Sequence, residues 1–265
     1  MSEPERRTGL LIDWGGVLTT DVFASFEAFC IAEGLEPDTV RLAFRSDPRG
    51  RAALHDLETG VTNEEQFAAA FAPVIGVTEV DGLTDRLFGG MAEDVAMVEA
   101  VMAARAAGVP TGLISNSWGV DRYDHDLLGR LFTATVISGD VGLRKPDPEI
   151  YLLGAERIDR LPEECVFVDD LQHNVEAAVA VGMVGVRHTS YAETLAEPRL
   201  KVVDHQQRVP DGGGVAQLFN LAGLQSQLGH QNDVVEHLAH VDGPEVAGGP
   251  VEGGEGEQVL DEPVH

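Results

Sequence analysis

Basic residues are scarce in this sequence: 18 Lys and Arg stand against 45 Asp and Glu, a formal net charge of −27. So acidic a surface repels polyanions. That excludes nucleic acid as the expected partner and makes any anionic substrate depend on a local cation or metal. Cysteine is nearly absent. Cys30 and Cys165 lie far apart, which argues against a disulfide framework and fits two buried small hydrophobes. No apolar run reaches the length of a membrane span. The opening MSEPERRTG lacks the apolar core of a signal peptide, so a cytoplasmic protein is expected.

Past Arg208, Lys and Arg vanish altogether: residues 209–265 hold ten acidic residues, eleven glycines and a single aromatic, Phe219. Such a composition buries little apolar surface. Residues 198–265 therefore read as a low-complexity acidic tail, disordered or loosely packed, with room for a short helix in VAQLFNLAGLQSQLG. The abrupt change also fits a shifted reading frame near residue 198. His230, His237 and His240, with Asp233 nearby, have metal-ligand chemistry, but in so glycine-rich a segment no metal site is expected.

What is present is order from residue 8 to about residue 195. Short apolar runs at Gly9–Ile12, Thr111–Ile114, Ala134–Ile137, Cys165–Val168 and Val184–Val186 are each followed by polar or glycine-rich residues, the pattern of parallel strands buried on both faces. Helical patterns at 94–108, 147–158 and 174–182 alternate with them, and Gly108 and Gly182 read as helix stops. The fold class is α/β, a doubly wound parallel sheet with active groups at the carboxyl ends of its strands. Residues 22–92 break the alternation with helical patterns only, including a helix capped by Thr62 or Asn63 with Glu65 or Gln66 behind it. The expected organisation is a core of residues 8–21 and 93–195, a helical cap of residues 22–92 and the tail.

Four strand ends and loops carry chemistry. GLLIDWGG presents Asp13, GLISNSWG presents Ser115 and Asn116, GLRKPDPEIY presents Lys145, and VFVDD presents Asp169 and Asp170. A carboxylate attacking phosphorus needs the target's negative charge masked. Asp13, Asp170 and Asp169 offer hard oxygen ligands suited to Mg²⁺. Lys145 would neutralise the nucleophile and a phosphoryl oxygen together, and Ser115 would hydrogen-bond another. In this order and spacing the motifs resemble the haloacid dehalogenase-like hydrolases, in the subgroup with a helical cap inserted after the first motif. The resemblance implies a Rossmann-like core and a phosphatase of small phosphorylated metabolites that works through an aspartyl-phosphate on Asp13. It also implies Mg²⁺ held by Asp13, the Gly15 carbonyl, Asp170 and Asp169, with substrate held by Ser115, Asn116 and Lys145.

One position departs from that pattern. Phosphatases of this kind carry a second Asp two residues after the nucleophile, whereas this chain reads Asp13-Trp14-Gly15. General acid–base catalysis is worth roughly 10²–10⁴-fold, so alkyl phosphates should turn over slowly and aryl or acyl phosphates should suffer less. Thr19, Thr20 and Asp21 are the nearby stand-ins. Trp14 is expected to pack in the core or at the hinge, Asn174 to cap a helix, and His173 to be a solvated loop residue. Phe44, Arg45 and Arg51 are candidates for an inner cap face, with a solvated helix face as the plainer reading. Two rival functions stand beside the phosphatase. A non-catalytic metal-, phosphate- or partner-binding protein would fit the lost acid. A 2-haloacid dehalogenase would need no proton for its leaving group, but also no metal and an aromatic where Gly15 stands.

Overall fold

A computed structural model describes residues 7–119, 122–197 and 200. Apart from Leu200, the tail with its candidate helix and histidines lies outside the described residues. Five strands, β1 (Gly9–Ile12), β2 (Thr111–Ser115), β3 (Ala134–Ile137), β4 (Cys165–Asp169) and β5 (Val184–Arg187), pair in parallel in the order β3-β2-β1-β4-β5. Five helices follow β1: α1 (Val22–Ala32), α2 (Thr39–Ser46), α3 (Pro48–Glu58), α4 (Glu64–Ile75) and α5 (Leu83–Phe88). The remaining helices are α6 (Val95–Ala106), α7 (His125–Leu131), α8 (Ser138–Val141), α9 (Pro148–Arg157), α10 (Gln172–Ala180) and α11 (Tyr191–Ala196).

The strands are short and apolar because both faces of the sheet are covered. Leu10 and Ile12 point to one side, into a cluster with Met97, Val98 and Val101 of α6 and Leu127, Leu128 and Leu131 of α7. Leu11 points to the other, into a cluster with Ile150, Tyr151 and Ala155 of α9 and Ala178 of α10. This is the doubly wound sheet the sequence predicts. Gly108 (φ 86°) and Gly182 (φ 101°) stand just past α6 and α10 in the left-handed conformation that ends a helix. Strands β2, β4 and β5 each run one residue further than their apolar runs, so Ser115 and Asp169 are held by the sheet itself.

Helices α1–α5 bury an apolar cluster of their own, built on Phe26, Phe67, Phe71 and Leu83. Of the two candidate caps for α4 it is Asn63 that closes the box, with Gln66 reaching back to it. Phe44 stacks on Phe71 with ring centroids 4.5 Å apart, so it belongs to the interior of this helical unit, while Arg45 and Arg51 are exposed. The chain leaves and re-enters the sheet domain side by side. Thr19 and Glu93 form an antiparallel bridge, and the Asp94 N–H donates to the Leu18 carbonyl at 2.9 Å.

Two core loops reach into the inserted helices. From the loop after β2, Trp118 packs on Phe88 at 4.7 Å, and Arg122 pairs with Glu64 and, at 2.9 Å, with Asp85. On the other side the chain passes from α3 to α4 through Gly60, at φ 72°. A β-carbon there would lie 2.4 Å from the Gly139 carbonyl oxygen. Glycine is required at this point for both conformation and space. Gly60→Ala is expected to destabilise the protein by more than ~1 kcal/mol, read as a lowered denaturant midpoint with an unchanged slope.

Candidate active site

The site forms where the strand order reverses. β1 and β4 are neighbours with Ile12 opposite Val168, and the Asp13 N–H donates to the Val168 carbonyl at 3.0 Å. That register sets Asp13 beside Asp169 at the carboxyl end of the sheet, the position where ligands bind in open α/β sheets. Lys145 joins them from the loop between α8 and α9. Its Nζ lies 2.6 Å from Asp13 Oδ1 and 2.7 Å from Asp169 Oδ2. The lysine is 2% exposed, with its ammonium 5.6 Å from the centre of the Phe167 ring. Burial works against the ammonium, but Asp13 and Asp169 outweigh it and hold its pKa above the ordinary lysine value.

Each of these groups is held in turn. Asn116 grips the Lys145 peptide on both sides, its Oδ1 accepting from the lysine N–H at 2.8 Å and its amide donating to the lysine carbonyl at 3.1 Å. Asp169, fully buried, accepts from Asn174 at 3.0 and 3.1 Å and from the Leu171 N–H at 2.8 Å. Asn174 thus differs from its sequence reading. It lies inside α10 rather than before it, and its amide orients a buried carboxylate instead of capping the helix. Ser115 shares a hydrogen bond of 2.9 Å with the Tyr123 hydroxyl, and Trp14 meets the Tyr123 ring edge-on at 5.6 Å. Trp14 is therefore a packing residue, as expected. His173 is exposed.

Three carboxylates converge. One oxygen each from Asp13, Asp169 and Asp170 fall within 4.8 Å of one another. Burial first, then the charges of Asp169 and Asp170, push the Asp13 carboxyl up to about 8 against the opposing pull of Lys145. Burial and Asp169 push Asp170 up to about 6. One ammonium does not balance two buried carboxylates and the half-buried Asp170, and hard oxygens so arranged fit a small divalent cation such as Mg²⁺. The turn beneath them is built for this approach. Gly16 has φ 72°, and a β-carbon on it would come within 2.7 Å of Asp170 Oδ2.

Gly15 differs from Gly16. Its φ is not in the left-handed region, and a β-carbon there would meet only Val22 Cγ2, at 3.2 Å. Of the nearby stand-ins for the absent acid, Asp21 is exposed and caps α1 through the Phe23 N–H at 2.8 Å. Thr19 accepts from the Gly16 N–H and Thr20 from the Ala92 N–H, each at 3.1 Å. All three serve the hinge. Sequence reading missed Tyr123 and the ion pair of Arg144 with Glu58 at 2.6 Å. Tyr123 sits in a polar connector, and Glu58 in a stretch legible only as the end of a helix.

The family profile of the haloacid dehalogenase-like hydrolases matches residues 8–182. The chain belongs to this family. It is 30% identical over 206 residues to hexitol phosphatase A of Escherichia coli (strain K12), covering 75% of this chain and 89% of that protein. Over 125 residues it is 30% identical to phosphoglycolate phosphatase of Salmonella typhimurium, covering 43% of this chain and 50% of that one. The fold matches that of a family enzyme from Bacteroides thetaiotaomicron solved with magnesium and inorganic phosphate. That match has a TM-score of 0.52 and 20% identity over 68% of this chain and 93% of the other. The relatives are hydrolases, phosphatases among them. Among the described residues no helix is long and apolar enough to cross a membrane.

The raised carboxyls carry a signed consequence. A carboxyl raised in the folded state disfavours its own ionised form, so its contribution to stability is lost as pH rises from the ordinary carboxylate range through about 8 for Asp13. A bound cation needs those same groups ionised. Mg²⁺ is therefore expected to raise the melting temperature more at pH 8 than at pH 6. Asp13→Asn should shrink the Mg²⁺ effect at pH 8, read by calorimetry.

Proposed function

We propose that the protein is a Mg²⁺-dependent phosphatase of a small phosphate ester in the cytoplasm, with Asp13 as nucleophile. The observation that carries this reading is the buried Lys145 bridging Asp13 and Asp169 beside a third carboxylate, Asp170. Lys145 engages Asp13 through Oδ1, which leaves the second oxygen for attack in line on phosphorus. Its ammonium offsets both the nucleophile's charge and that of a phosphoryl oxygen. Ser115, fixed by Tyr123, donates to another oxygen, while Asn116 holds the lysine loop in register. Mg²⁺ would be held by Asp13, the Gly15 carbonyl and Asp170, and would supply charge screening for the incoming phosphate. Asp169 stands behind this set, because Lys145 and Asn174 already engage its oxygens. Residues 22–92 act as the cap over the site. Halide displacement has no use for a carboxylate cluster that calls for a cation, so dehalogenation is the weaker reading.

With Gly15 in place of the acid, the leaving group departs without a proton from that position, and substrates with acidic leaving groups are favoured. Purified protein with Mg²⁺ and p-nitrophenyl or acetyl phosphate should release product, and Asp13→Asn should abolish release. Gly15→Asp should raise kcat/KM on an alkyl phosphate by ~10-fold or more and change the aryl phosphate less. Phosphate retained on Asp13 without turnover would locate the block in hydrolysis of the intermediate. Neither labelling nor turnover in a folded protein would favour the binding-protein reading.

A further inference from the structure

Glu58 is the last residue of α3, carried by the helical insertion, yet it is only 3% exposed. A carboxylate from the cap that is buried against the core needs a partner there. Its Oε2 lies 2.6 Å from Nη2 of Arg144, the residue before Lys145. Its backbone carbonyl accepts from the Ser138 hydroxyl, which in turn accepts from the Ser117 N–H at 2.8 Å. The end of α3 is thus wedged between the loop after β2, which carries Asn116, and the loop that carries Lys145. These two loops are the ones joined by the Asn116 grip on the Lys145 peptide. Two residues further on, Gly60 lies against the Gly139 carbonyl with no room for a side chain, so the wedge has one close-fitting position.

We propose that Glu58 is a positioning residue for Lys145: by ion-pairing Arg144 from the cap, it makes the placement of the lysine between Asp13 and Asp169 depend on a docked cap. The proposal rests on the phosphatase reading for its kinetic consequence, but its structural claim is independent of turnover. The second cap–core ion pair, Arg122 with Glu64 and Asp85, touches no residue of the lysine loop and so provides a control. Loosening the cap there should leave Lys145 in place. Burial pushes the Glu58 carboxyl up to about 7 against the opposing pull of Arg144, Lys145 and Asn116.

The sequence offers a direct reporter, because Lys145 and Lys201 are the only lysines in the chain. Full-length protein labelled with ¹³Cε,¹⁵Nζ-lysine gives two side-chain signals, and Lys201→Arg assigns them. In Glu58→Gln, which keeps the shape and removes the charge, the Lys145 signal is expected to shift while that of Lys201 stays. Glu64→Gln should move neither. Arg144→Gln should reproduce the shift, and the double variant should add little to either single one. With p-nitrophenyl phosphate and Mg²⁺, Glu58→Gln should lower kcat by ~10-fold or more with KM little changed, the signature of a misplaced group rather than a lost contact. An unmoved Lys145 signal in Glu58→Gln overturns the proposal whatever happens to activity. So does an equal shift in Glu64→Gln, which would mean only that the cap had loosened. A wild-type protein with neither turnover nor phosphate retained on Asp13 would defeat the phosphatase reading, and the lysine signal would still decide this one.

Discussion

A buried ammonium between two buried carboxylates is the interaction on which the rest of this site depends. Lys145 is 2% exposed and Asp169 is fully buried, so neither charge is tolerable alone; breaking a buried pair by removing one partner costs ~3–5 kcal/mol. The fold supplies the partners through simple geometry. Parallel pairing of β1 with β4 sets Asp13 next to Asp169, and the first turns of α10 deliver Asn174 and the Leu171 N–H to Asp169. The Asn116 amide fixes the lysine backbone from the opposite side. With Asp170 added, the cluster carries more negative than positive charge. Burial and neighbouring charge make Asp13 and Asp170 harder to ionise than ordinary carboxyls, and the large acidic excess of the whole chain supplies no compensating cation. In the phosphatase reading, local arrangement rather than net charge would make the site receptive to an anionic substrate.

The same constraint reaches into the helical insertion. Its connection to the sheet is a short antiparallel bridge at Thr19 and Glu93, a narrow hinge by itself. Docking is therefore set by what the two core loops insert. Trp118 enters the aromatic cluster of α1 and α5, approaching Phe26 at 6.0 Å and Phe88 at 4.7 Å, while Arg122 pairs across to α4 and the α5 turn. On the other flank the α3 end fits against the loops of Asn116 and Lys145. Both attachments use loops that follow strands β2 and β3, the segments that carry catalytic chemistry in this reading. Read as a cap, an insertion attached in this way would have its position coupled to that of the site residues.

Most of the sheet was legible because its strands are buried on both faces. An apolar run with no alternation, ending on a polar residue, has few other readings. The placement of Asp13, Ser115, Asp169 and Asp170 was legible for the same reason, since each stands where an apolar run stops, whereas Lys145 lies in a loop past β3 and was legible only from its GLRKPDPEIY motif. What escaped was whatever depends on distant residues. Asn174 looks like a helix cap until β4 is known to place Asp169 beside it. Tyr123 looks like a connector until it meets Ser115, and Glu58 like a helix end until Arg144 comes across from the core. Phe44 could have faced a substrate or an interior, and only the packing of α2 on α4 chose the interior. Local propensity writes elements into a sequence, whereas buried polar partnerships are written only in the fold.

Gly15 belongs to neither category, because its meaning lies in what its backbone permits. Gly16 is glycine by necessity, pressed against Asp170 at positive φ; Gly15 is under no such demand. Its one near neighbour is Val22, buried at the start of α1 where the chain enters the cap. The position is thus apolar on the side that faces the hinge. A side chain placed there would start against the Val22 methyl group and meet no other side chain or distant backbone within 4 Å of its β-carbon. An acid at this position therefore requires Val22 to yield by a few tenths of an ångström, whereas the backbone itself raises no objection. In the phosphatase reading, the glycine leaves a site with its charge-stabilising groups in place and no proton donor at that position, and the rate would then follow the leaving group's own ability to depart as an anion.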